Sequence, residues 1–236
     1  MRRTWWRLVA GLTGGLGLLA GCGAEDREAP NPADFVLQKA PNDSGDEQVG
    51  VAGRALERSL RVQVTRDGEP AEGVAVFWST GEGSLTPASA LTGADGIGAS
   101  TWILKDLFAE QAAFASLQPG GPSAVVFLAI AGPDPEAENT VQVLNAGGNR
   151  FEPASITISA GDTVNWFWPP GSAGHNVVPD DGDLPPHSGP PADHPKFLSF
   201  RFITPGVYRY HCAVHGGAGG VGMAGSVTVE PPPSLD

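Results

Sequence analysis

The 236-residue chain has few basic residues: lysine plus arginine number 14 against 26 acidic residues, a formal charge of −12. Three of the arginines fall in the first seven positions. Without that segment 11 basic residues face 26 acidic ones, a formal −15. Such a surface repels nucleic acid and anionic lipid headgroups and favours a partner with a basic face. No long amphipathic period runs through the sequence, which argues against a helical architecture. No apolar run is long enough for a good transmembrane span. Cysteine and methionine occur only twice each and histidine five times, so any site built from these residues has a short list of candidates.

The N-terminus accounts for one cysteine. "MRRTWWR" is a charged opening, "LVAGLTGGLGLLA" a short apolar run, and "LAGC" follows. Together they read as a secretory signal over residues 1–21. "LAGC" resembles a bacterial lipobox, which implies that Cys22 is acylated and becomes the first residue after cleavage. The expected location is the cell envelope, with the chain lipid-anchored to a bacterial membrane and facing the periplasm or the cell surface. An acylated Cys22 leaves Cys212 without a disulfide partner. An unpaired cysteine in an oxidising compartment is a liability unless something occupies its sulfur.

With 33 glycines and 22 prolines, short strands separated by turns are expected. Residues 22–45 are acidic and poor in large apolar side chains, and read as a flexible tether. A second break at "AGPDPEAEN", Ala131 to Asn139, divides two β-like regions. In the first, over 46–132, "LRVQVT", "VAVFW", "ASTWIL" and "SAVVFLAI" are strand signals, with "RDGEPAEG" and "GADGIG" as turns. This ordered set resembles the bacterial immunoglobulin-like domains of invasin-type surface proteins, which implies a β-sandwich acting as a spacer or interaction module. It contains no histidine or cysteine.

The second region, 138–230, repeats the rhythm with "TVQVLN", "SITI", "TVNWFW", "HNVV", "FLSFRFI", "VYRYH" and "GSVTVE". Side chains alternate along "VYRYHC", so Cys212 and His211 face opposite sides. Immediately after comes "YHCAVHGGAGGVGM", which places Cys212, His215 and Met223 in one glycine-rich segment, and "GSAGHNVV" supplies His175. Alone, each of these is more often a packing or surface residue than a ligand. Together they form the thiolate, two imidazoles and axial thioether of a type 1 copper centre, and the unpaired cysteine favours that reading over packing.

"NRFEPASITISAGDTVNWFW", "GHNVV", "TPGVYRYHCAVH" and "GMAGSVTV" resemble the plastocyanin, halocyanin and pseudoazurin group of cupredoxins. The resemblance implies a Greek-key sandwich holding one copper ion, with His175, Cys212, His215 and Met223 as ligands and Asn176 fixing the ligand loops. Two features depart from the group. The segment from His215 to Met223 is longer, and the proline common before the second histidine is Val214. A valine keeps an N–H that proline lacks; within reach of the Cys212 sulfur it would stabilise the thiolate and raise the reduction potential.

His187 and His194 fall in a proline-rich insert and read as solvated. The pair His211–Cys212 also occurs in copper nitrite reductases, but position 180, where a second histidine would be needed, is Asp180. Five histidines are too few for a multicopper oxidase. The expectation is therefore an all-β, two-sandwich electron carrier and no enzyme, exchanging single electrons with redox partner proteins and binding no nucleic acid. The competing expectation is a surface binding or adhesion-type lipoprotein acting through its first domain, with the copper domain as a copper sink or structural unit.

Overall fold

The computed structural model describes residues 31–122, 125–191 and 196–232. Cys22 and His194 lie outside the described residues, as does the signal segment. Eighteen strands and one short 3₁₀ turn make up the described secondary structure. The first ten are β1 (Phe35–Lys39), β2 (Gln48–Val51), β3 (Leu60–Arg66), β4 (Glu69–Pro70), β5 (Ala75–Thr80), β6 (Ser84–Thr86), β7 (Ser89–Leu91), β8 (Ile97–Ile103), β9 (Ala109–Ser116) and β10 (Val125–Gly132). They form two sheets, ordered β1-β3-β8-β6 with β4 beside β3, and β2-β10-β9-β5-β7.

The alternation legible in the sequence produces the first core. Leu60, Val62 and Val64 of β3 and Trp102 of β8 point inward and are fully buried, while the residues between them face out. This period-2 pattern is what a sheet with one wet face requires. Asp67 and Gly68 join β3 to β4 with φ of 53° and 86°. That is the Asp-Gly signature of a two-residue hairpin turn whose twist matches its strands.

Two strands of this sandwich lack a sequence signal. The tether expected to reach residue 45 ends earlier, because Phe35–Lys39 pairs antiparallel with β3. It lies at the edge of its sheet, with Val36 facing out and 59% exposed while Phe35 and Leu37 pack against the core. β9, "AEQAAFAS", is built on alanines, and its inward Ala113 and Ala115 match the space left by larger neighbours such as Trp78 and Phe127.

The remaining strands are β11 (Thr140–Leu144), β12 (Arg150–Glu152), β13 (Ser155–Ser159), β14 (Thr163–Trp168), β15 (Val178–Pro179), β16 (Lys196–Arg201), β17 (Gly206–Gly217) and β18 (Val221–Glu230). They form sheets ordered β12-β11-β14-β16 and β13-β18-β17-β15. β11 runs parallel to β14 and β13 parallel to β18, and the chain crosses repeatedly from one sheet to the other, as in Greek-key sandwiches. Trp166 and Trp168 of β14 and Tyr210 of β17 fill the middle, with the Trp166 and Tyr210 rings edge-on at 5.4 Å. Phe167, between the two tryptophans, faces away from that core yet is 5% exposed. It is covered by Gly132 at the end of β10, while Phe108 meets Phe197 of β16 edge-on at 5.4 Å.

Gly225 sits directly across from Tyr210 in the β17–β18 ladder. A Cβ there would stand 2.6 Å from the Tyr210 ring and 2.8 Å from the Ala154 carbonyl oxygen. Gly225→Ala is expected to destabilise this sandwich by about 1–3 kcal/mol, the usual cost of overpacking. Denaturant unfolding followed by tryptophan fluorescence measures it, and an unchanged midpoint would contradict the packing described.

Candidate metal centre

Three of the four predicted ligands meet at one end of the second sandwich. The Cys212 Sγ lies 3.7 Å from His175 Nδ1 and 3.7 Å from His215 Nδ1. One ligand atom from each residue falls within 4.8 Å of the others, and the two imidazole rings stand 4.7 Å apart at 61°. Cys212 and His175 are fully buried and His215 is partly exposed. Cys212 carries no disulfide.

Strand geometry brings the donors together. β17 and β18 are in register up to His211 opposite Ala224 and again from Gly216 opposite Gly222. Between those pairs four residues of β17, Cys212 to His215, stand against the single residue Met223 of β18. This bulge turns the chain so that Cys212 and His215 share a face, which a regular strand would deny to residues three apart. Met223, 2% exposed, packs in the same buried cluster as Cys212. Gly216 and Gly222 permit the close approach: a Cβ on either would come within 2.3 Å of the Met223 oxygen or 2.5 Å of the His215 oxygen.

His175 arrives from a different part of the chain and is held by its backbone. The fully buried Trp168 donates its indole N–H to the His175 carbonyl at 3.1 Å. Asn176, 2% exposed, links the two ligand segments. Its Oδ1 accepts the Ala213 N–H at 2.9 Å and its Nδ2 donates to the Gly189 carbonyl at 3.2 Å. Ser188 of the proline-rich insert also holds the His175 segment, its hydroxyl accepting the Val177 N–H at 2.8 Å and its own N–H reaching the Val177 carbonyl at 2.9 Å. Lys196 donates to the Ser188 carbonyl and sits 5.2 Å above the Trp168 ring, with its pKa lowered by burial. Such outer contacts orient metal ligands and are part of a site's design.

The donor set fits a first-row metal ion. Imidazole nitrogen and thiolate sulfur held at ~2.0–2.1 and ~2.3 Å, the distances general for zinc, are roughly 3.6–3.8 Å apart at tetrahedral to trigonal angles. The two sulfur–nitrogen separations agree. Burial, and then the neighbouring His215 imidazole, pushes the His175 pKa below its ordinary value, which favours the neutral imidazole a metal requires. Two imidazoles with one thiolate and a nearby methionine suit copper.

The remaining histidines play other parts. The His211 ring faces away from Cys212 and lies 2.7 Å from Asp180. His187 is exposed and its Nδ1 accepts the Gly189 N–H at 2.9 Å. The Val214 side chain is 59% exposed, and the backbone bond to the His175 segment is made by Ala213. Trp168, Ser188 and Lys196 escaped sequence reasoning. Nothing in a strand of aromatics, a proline-rich insert or a lone lysine shows that all three converge on one ligand segment.

A buried His–Cys–His cluster at one end of a Greek-key sandwich, with methionine opposite, defines a mononuclear copper protein of the cupredoxin class. Residues 138–230 match the family of copper binding proteins described as the plastocyanin/azurin family, and the chain belongs to that family. Plastocyanin of Scenedesmus fuscus is 38% identical over 96 residues, 36% of this chain and 92% of the relative. Halocyanin of Natronomonas pharaonis is 32% identical over 101 residues, 41% of this chain and 60% of the relative. A solved reduced amicyanin mutant, 29% identical, aligns with 39% of this chain and 80% of its own at a TM-score of 0.31. The family implies copper and single-electron transfer.

Asn176→Ala would leave the Ala213 N–H without its acceptor, at a cost of about 1–3 kcal/mol. Chemical denaturation of the metal-free variant is expected to show that loss. Unfolding that matches the parent would mean that the bond between the ligand segments contributes nothing.

Proposed function

We propose that the chain is a lipid-anchored electron carrier of the bacterial cell envelope, with His175, Cys212, His215 and Met223 holding one type 1 copper ion. The observation that carries this reading is the buried thiol flanked by two imidazoles at equal distance. Bound copper supplies the one-electron Cu(II)/Cu(I) couple. The protein supplies constancy: Cys212, His215 and Met223 sit on strands packed around Trp166, Trp168 and Tyr210, the Trp168 indole holds the His175 carbonyl, and close-packed interiors resist rearrangement. His175, Cys212 and Met223 are kept from water, whereas the partly exposed His215 offers an edge to a partner. Val214 and Val221, 59% and 64% exposed, lie on either side of it in sequence and give that edge an apolar rim suited to brief contact. The chain's acidity favours redox partners with a basic docking face.

The first sandwich reads as an immunoglobulin-like spacer between Cys22 and the copper domain. Its Arg54 guanidinium lies 2.7 Å from Asp134 of the segment that follows. Among the described residues no helix is long and apolar enough to cross a membrane, and attachment through an acyl chain on Cys22 requires none.

Two experiments test the reading. Purified full chain loaded with Cu(II) is expected to show an intense visible thiolate-to-copper band and narrow EPR hyperfine splitting, both lost in Cys212→Ser. A colourless protein, or a copper signal that survives this substitution, would sink the electron-carrier assignment. In cells fed labelled palmitate, label is expected on the parent and not on Cys22→Ala; equal labelling would remove the anchor.

A further inference from the structure

The segment that carries two of the ligands has little to hold it. Beyond His215 the chain forms a short hairpin, Gly216 opposite Gly222 and Gly217 opposite Val221, around a tip at Ala218–Gly220. Three of its glycines, Gly219, Gly220 and Gly222, adopt φ of 79°, 84° and 62°. Glycine reaches such angles freely but loses the most conformational entropy on being fixed there. The hairpin has almost no side chains to pack, and Val221, its one large apolar residue, is 64% exposed. A two-stranded ribbon without an apolar face is marginal in water.

One buried carboxylate reaches this tip. Asp180, with a side chain 4% exposed, accepts the Gly219 N–H on Oδ2 at 2.7 Å. Its Oδ1 lies 2.7 Å from His211 Nδ1. The residue is itself fixed: its N–H donates to the Arg209 carbonyl at 2.9 Å, and the preceding Val178 and Pro179 pair with His211 and Tyr210. The carboxylate thus joins the outermost turn of the ligand hairpin to the strand residue immediately before Cys212. Hydrogen bonds to an ionised acceptor are stronger than neutral ones.

We propose that Asp180 is a positioning residue for the copper centre. By holding Gly219 against His211 it sets the orientation of the His215–Met223 hairpin, and so keeps His215 and Met223 in register with Cys212 and His175. The extra length of this segment then costs the site no rigidity, because the added turn has its own anchor. The proposal rests on the copper reading for its purpose, but the brace is a property of the metal-free protein.

The test therefore begins without metal. Amide hydrogen exchange in the full-length apoprotein is read at Gly219, with Gly225 in the β17–β18 ladder as internal reference. In the parent chain, Gly219 is expected to exchange about tenfold or more slowly than an open-chain glycine, given one hydrogen bond to a charged group. Asp180→Ala is expected to lose that protection. Asp180→Asn, which keeps an oxygen for Gly219 and offers His211 a donor but loses the charge, is expected to fall between the two, clearly more protected than Asp180→Ala.

After copper loading, Asp180→Ala alone is expected to show a shifted thiolate-to-copper band and faster copper loss to a chelator. Both substitutions remove the charge, so an effect of charge alone would move them together. Open-chain exchange at Gly219 in the parent would overturn the proposal even if Asp180→Ala failed to fold. So would Asp180→Asn behaving as Asp180→Ala, or Asp180→Ala behaving as the parent. Failure of every form, parent included, to take up copper would instead refute the copper reading and leave the exchange result standing.

Discussion

The hydrogen bond from the Ala213 amide to the Asn176 side-chain oxygen joins, beside the donors themselves, the two pieces of chain on which the metal centre depends. Cys212 and His215 are neighbours on one strand, but His175 lies 37 residues before the cysteine. The sandwich core brings those segments to the same end, and this bond fixes how they face each other. Without a lock of this kind the donors would be near one another but not oriented, and a metal bound among them would impose its own preferred geometry on the loops.

Around that bond the chain arranges a second ring of support from unrelated places. Trp168 holds the His175 carbonyl from the core side, and Lys196 caps the indole while reaching Ser188. The proline-rich insert, which has the composition of a solvent loop, folds back so that Ser188 and Gly189 line the His175 segment. Partial burial of a lysine costs free energy, and its lowered pKa reflects that. The compensation is a cation over an aromatic face and a carbonyl to bond. The bulge opposite Met223 is a local disruption of the ladder of the kind found beside functional sites.

Much of this was legible in the sequence because the signals were chemical and local. Cys212, His215 and Met223 share one short segment, and an unpaired cysteine in a chain whose N-terminus reads as a secretory signal needs an explanation. The alternation in "LRVQVT" and "VYRYHC" is preserved in strands whose inward residues are buried. Strands held by pairing rather than composition were not legible: Phe35–Lys39 gains its order from β3, and the alanines of β9 say nothing of the tryptophan and phenylalanine they accommodate. The roles of Trp168, Ser188, Lys196 and Asp180 were hidden for the same reason. Each acts across a distance in sequence that no local pattern encodes, and Asp180, noticed only as the place where a histidine was missing, turns out to face His211.

The central claim is that the scaffold, and not the metal, sets the arrangement of the donors. X-ray absorption at the copper edge, recorded on the oxidised and reduced protein, tests it most directly. The account predicts the same two nitrogens and one sulfur in both states, at distances that barely change. Loss of a histidine on reduction, or a change in coordination number between the two states, would contradict it.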